Sequence, residues 1–237
     1  MIAFLWPFTY IINYLFPIFK NNNEHNELIY FDFETTGLNP YKDKIIEYAF
    51  IQEFKDEKYD SKDKESYIKN TYINELVNPE TKFDKKITQI TGIHPDELDT
   101  QYNINICLPN IMNFINYNMK TRNIYMVAHN CDGFDKLFLI NNIKNYNIMF
   151  KNQLEYKHIK FIDSINLCKK LLPQLKSYSL KNMTTHFNIS SGTHRAMSDT
   201  IALKELFHKL INKLADEIDC TSEYLLDNPQ IIYEYIY

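Results

Sequence analysis

Apolar residues fall along this chain first in short unbroken runs and then in helical spacing. Residues 28–33 form a near-continuous apolar run, which reads as a central strand buried on both faces. Residues 45–54 and 67–77 read as a second and a third strand, closing an antiparallel meander. Between them, 55–66 is dense in Lys, Asp and Glu and reads as a solvated hairpin tip. Helical spacing follows over 84–91 and 105–119. A fourth strand over 124–128 leads into a helix over 134–144, and a short fifth strand at 160–162 precedes helices over 164–172, 179–187 and 195–218. Three strands first, then alternating helix and strand, predict an α/β domain with a mixed five-stranded sheet flanked by helices. No internal repeat interrupts this order.

Residues 1–19 stand apart. They carry no charged side chain and come close to the roughly 20 residues that a membrane helix needs. Pro7, Pro17, Thr9 and Asn13 interrupt the stretch, and it has neither a basic flank at its start nor a small-residue cleavage site. A membrane anchor, a cleaved signal peptide and a soluble packing or partner-binding arm are the three readings. For an anchor, Lys20 places the remaining chain in the cytosol. The sequence thus divides into a hydrophobic segment 1–20, a polar linker 21–27, a globular domain 28–215 and a C-terminal tail 216–237.

Composition narrows the function. Hydrophobic residues make up 45% of the 237, enough for a sizeable core. The net charge of −4 is wrong for a protein that coats duplexes, so contact with nucleic acid must be local, through metal ions. Cys107, Cys131, Cys168 and Cys220 show no CxxC spacing and no pairing logic, which argues against a zinc site and fits a reducing, intracellular compartment.

The candidate chemistry lies in three separated segments. Asp32 and Glu34 are two apart on a strand, so both side chains leave one face, about 6–7 Å apart along the backbone. Like charges at the end of a buried strand repel and lose solvation unless cations neutralise them, a task for hard divalent ions. Asp135 opens the helix after the fourth strand, at a corner that aims side chains across the carboxyl edge of the sheet. His194 and Asp199 flank the start of the last long helix, where an imidazole can take a proton from water at neutral pH. Each segment alone has a plain explanation: an exposed acidic strand end, a carboxylate favoured by a helix dipole, an ordinary helix start. Together they supply four carboxylates and one imidazole, the components of a two-metal phosphodiesterase site. His129 reads as a hydrogen-bonding loop residue bordering that site.

The segments Phe31-Asp32-Phe33-Glu34-Thr35-Thr36-Gly37-Leu38, Val127-Ala128-His129-Asn130 with Phe134-Asp135, and His194-Arg195-Ala196-Met197-Ser198-Asp199 resemble the three motifs of the DEDDh 3′–5′ exonucleases. That family has the ribonuclease H-like fold and includes the proofreading subunit of bacterial replicative polymerase. Asn78-Pro79 with Ile90-Thr91-Gly92-Ile93, and Asp163-Ser164 with Ser177-Tyr178-Ser179-Leu180, resemble two further stretches of it, so the likeness runs from Leu28 to Leu210. The resemblance implies that Asp32, Glu34, Asp135 and Asp199 hold two Mg²⁺ or Mn²⁺ ions and that His194 is the general base. It also implies that Thr35, Thr36, Gly37 and Leu38 meet the terminal nucleotide of a single-stranded 3′ end, with Ile90 against its base and His129 and Asn130 beside it. Cys131-Asp132-Gly133 is one residue longer than the usual spacer, as in the three-prime repair exonucleases that act on DNA ends, though their proline-rich loop is absent from this sequence. A catalytically silent binding or scaffolding module of the same fold is the alternative.

Overall fold

The computed structural model describes residues 27–55, 68–116, 123–190 and 192–237. The hydrophobic segment 1–19 and nearly all of the expected hairpin tip lie outside the described residues, and among the described ones no helix is long and apolar enough to cross a membrane. Five strands, β1 (Glu27–Thr35), β2 (Ile45–Lys55), β3 (Ile68–Leu76), β4 (Ile124–Ala128) and β5 (Ile159–Asp163), form one mixed sheet in the order β3-β2-β1-β4-β5. The β1–β2 and β2–β3 pairs are antiparallel, and β4 and β5 continue in parallel beside β1. This is the anticipated α/β architecture.

Because side chains alternate along a strand, β1 feeds two cores. Leu28 and Tyr30 face one layer, made by α5 (Ser164–Leu171), α6 (Leu180–Phe187), α7 (Ala196–Ile218), α8 (Ser222–Asp227) and α9 (Pro229–Ile236). Ile29, Phe31 and Phe33 face the other, built on α3 (Ile104–Ile115) and α4 (Asp135–Phe150). The remaining helices, α1 (Lys85–Thr91) and α2 (Pro95–Leu98), form a small third cluster in which Ile93 and Leu98 bury Ile46 of β2. The periodicity of α7 explains its place. Leu203, Leu206, Phe207, Leu210, Ile211 and Leu214 recur at three and four and all are buried.

Several elements differ from the sequence reading: α2 is not anticipated there, and α3 ends at Ile115, short of the expected 119. The stretch 216–237 is no loose tail: Leu225, Ile231, Ile232 and Ile236 of α8 and α9 are buried in the α7 layer. Helix α4 runs six residues past Lys144, to Phe150. Its asparagines hide the extension by filling helical positions with polar side chains, of which Asn142 Nδ2 donates to the Phe138 carbonyl and Asn147 pairs with the backbone of Leu154.

Candidate active site

The site forms where β1 outlasts its parallel neighbour. The last β1–β4 partner pair is Tyr30 with Val127, after which β4 ends and its chain turns out of the sheet. Asp32 and Glu34 lie beyond that point, on the face that Leu28 and Tyr30 share. Helix α7 packs across this face, and Asp199 in its first turn completes a group with Asp32 and Glu34: one ligand oxygen from each lies within 4.8 Å of the others. Asp135 arrives from the opposite layer as the first residue of α4. Its Oδ1 accepts the Phe33 N–H at 3.2 Å, a donor beyond the reach of β4. Asp135 is thereby buried and fixed against the strand that carries the other acids.

Gly192 permits the approach of the last carboxylate. A Cβ at that position would fall 1.5 Å from Asp199 Oδ1, so only glycine lets the segment before α7 cover it. The same oxygen is the one buried side-chain N or O atom among the described residues with no hydrogen-bond partner. An orphaned buried carboxylate oxygen beside two further carboxylates is the donor set that a divalent cation satisfies.

The electrostatics agree. Burial raises Asp32 well above the usual carboxylate range, and Asp135, Glu34, Asp199 and Glu47 push it in the same direction. Burial, Asp199 and Glu47 push Glu34 up to about 8, against the opposing charge of Arg195. Asp135 is raised by burial despite its bond from Phe33, and Asp199 is raised by burial with His194 acting against it. Folded carboxyls with raised pKa hold protons that the unfolded chain releases, so the metal-free protein loses stability as pH climbs from about 4 to about 8. Thermal melts in EDTA should therefore fall over that window, and Mg²⁺ or Mn²⁺ should restore them, with a gain that widens toward pH 8. A metal-induced gain that is flat with pH would contradict a shared cluster.

Sequence reasoning passed over the roles of two residues, Glu47 and Asp163. Glu47 of β2, directly opposite Glu34, grips Arg195 and the start of α7. A charge inside the apolar run Ile45-Ile46-Glu47-Tyr48 was the signal for it. Asp163 ends β5 and caps α5 through the Ile165 N–H (2.9 Å). It also accepts the N–H groups of Asn130 and Asp132, both at 3.1 Å, and so ties down the loop before Asp135. His129 is committed to the same loop. Its Nε2–H donates to the Tyr178 carbonyl at 2.7 Å and its Nδ1 faces Ser164 Oγ at 2.8 Å, while burial holds its pKa below the ordinary value. His194, by contrast, is exposed on the turn before α7, in left-handed backbone conformation with φ 54°.

The sequence profile of the RNase T-type family described as Exonuclease matches residues 29–207, most of the chain and all five candidate chemical positions. The chain belongs to the DEDDh 3′–5′ exonuclease family. Among relatives, this exonuclease is 30% identical over 207 residues to the PolC-type DNA polymerase III of Clostridium perfringens. That match covers 86% of this chain but only 13% of the polymerase. It is 26% identical over 200 residues to the DNA polymerase III epsilon subunit of Aquifex aeolicus, covering 82% of this chain and 85% of that subunit. A zinc-bound E. coli exonuclease I–ssDNA complex shares the fold, with a TM-score of 0.63 at 19% identity over 85% of this chain and 43% of that one.

Around the cluster of the exonuclease, the loop after β1 is braced from within. The Thr35 hydroxyl donates to the Gly37 carbonyl at 2.6 Å, and Thr36 exchanges bonds with Lys44 across the turn. A side chain at Gly37 would meet the Asp43 carboxylate at 2.5 Å. This bracing leaves Leu38 83% exposed, and Ile90 on α1 is exposed as well. Two large apolar side chains held in solvent are available to a ligand. Asn130 is exposed too, on the β4–α4 loop, with φ 70°.

Proposed function

We propose that this chain hydrolyses phosphodiester bonds at the 3′ ends of single-stranded nucleic acid, DNA in preference to RNA, and releases nucleoside 5′-monophosphates. The observation that carries the reading is the cluster of Asp32, Glu34 and Asp199 within 4.8 Å, with its partnerless buried oxygen, beside Asp135. These four carboxylates would hold two divalent ions, Mg²⁺ or Mn²⁺. Bound there, the ions supply Lewis acidity that acidifies a water and offsets charge on the leaving 3′-oxygen.

The residues of the chain divide the remaining work. His194, exposed at the mouth of the site, takes the proton of the attacking water. His129 cannot serve as readily, because both its ring nitrogens already have protein partners. Leu38 and Ile90 wedge the terminal nucleotide, with Thr35, Thr36 and Gly37 shaping the backbone against it and His129 and Asn130 bordering its phosphate. Recognition of one terminal nucleotide demands no basic surface, which reconciles a nuclease with a net charge of −4. The DNA preference follows from relatives named as DNA polymerases and from the exonuclease I–ssDNA complex. Buried free thiols at Cys107, Cys131 and Cys168 suit a reducing intracellular compartment.

Purified protein should shorten a 5′-labelled single-stranded oligonucleotide in Mg²⁺ or Mn²⁺, one nucleotide at a time, and stop in EDTA. Matched DNA and RNA substrates, run side by side, test the preference. Folded protein that shortens neither overturns the enzyme reading and leaves the silent binding module.

A further inference from the structure

Glu47 is a buried acid in a place that ought to reject one. Its side chain is 2% exposed, and its residue pairs with Glu34 across β1 and β2. Like charges directly opposite on an antiparallel pair destabilise it. The Glu47 charge also raises Asp32, Glu34 and Asp199, the acids that form the cluster. An apolar residue would serve the sheet better, since both neighbours, Ile46 and Tyr48, are buried.

What the carboxylate does instead is hold the third motif. Its Oε2 accepts the Arg195 Nε–H at 3.1 Å and its Oε1 accepts the Arg195 Nη2–H at 2.9 Å, a two-toothed grip on a planar fork. Oε2 also accepts the N–H of Ala196 at 2.9 Å. Ala196 is the first residue of α7, and Arg195, which precedes it, gives the helix no side-chain cap. The cap of this helix therefore comes from a strand 149 residues away in sequence. Two consecutive residues are thus fixed in position and orientation, and His194 is the residue immediately before them, in the left-handed conformation that turns the chain into α7.

We propose that Glu47 is a positioning residue for the hydrolysis, holding through Arg195 and Ala196 the turn that aims His194 at the attacking water. This rests on the reading of His194 as the base. The test is a double-mutant cycle between Glu47→Gln and His194→Ala, measured as single-turnover rates and KM on a single-stranded oligonucleotide. Glu47→Gln keeps the size of the side chain but sets an NH₂ against donors, which loosens the grip. In the otherwise native enzyme it should lower kcat by about 10²-fold with KM little changed, the scale of an ångström-level misplacement. In the His194→Ala enzyme it should cost less than about threefold, because no base is left to aim. Arg195→Ala opens the same grip from a partly exposed side chain, which protects the test against a misfolded Glu47 variant, and should show the same dependence on His194. Equal losses in both backgrounds, for both variants, would overturn the role of Glu47 and leave the base reading intact. A His194→Ala enzyme with native turnover would overturn the base reading, and this role with it.

Discussion

An Asp32→Asn protein is expected to lose measurable turnover and yet to melt, in EDTA, at the native temperature or above it. Asp32 is crowded by Asp135, Glu34, Asp199 and Glu47 in a buried setting, so removing its charge relieves repulsion in the metal-free fold. The same change takes away a ligand of the cluster, so the Mn²⁺-induced gain in melting temperature should shrink with it. Asp163→Ala is the informative contrast, because that acid lies close by in the fold but does structural work. It accepts three backbone N–H groups, from Asn130, Asp132 and Ile165. Losing them leaves partly buried donors unmatched at about 1 kcal/mol each. For a domain of this size roughly 3 kcal/mol lowers the melting temperature by about 6–12 °C. Two neighbouring aspartates should thus fail in opposite ways, one in chemistry and one in stability. A large fall in the metal-free melting temperature of Asp32→Asn would point to a structural ion pair instead of a metal cluster.

His194→Ala should lower kcat by about 10²–10⁴, the usual worth of a general base, while Mn²⁺ still raises the melting temperature as it does in the native protein. His129→Ala supplies the control. Its ring bridges Ser164 to the Tyr178 carbonyl, so its loss should appear as reduced thermal stability of the loop-bearing layer. If His129→Ala destroys turnover in a stable protein and His194→Ala leaves it near normal at pH 7, the roles are reversed.

The strands were legible because each is a local pattern: an unbroken apolar run for β1 and β4, and turns where charge accumulates. The acids of the cluster were legible for a related reason, since each ends such a run or starts a helix. What escaped depends on contacts between distant residues. Nothing near Glu47 in sequence announces that Arg195 and Ala196 will come to it. Nothing near Asp163 announces that it will accept the Asn130 N–H. The C-terminal stretch was misleading for a different reason. Helices α8 and α9 are short, and they persist because Leu225, Ile231, Ile232 and Ile236 find a prepared surface on the α7 layer.

The cluster draws its acids from three places: the central strand β1, helix α4 in one layer and helix α7 in the other. No half of the molecule contains a usable set. A chain that has formed its sheet and only one layer lacks either Asp135 or Asp199 beside Asp32 and Glu34, because these two acids arrive with different layers. Assembly of the four acids around β1 is consequently a reporter of complete tertiary structure.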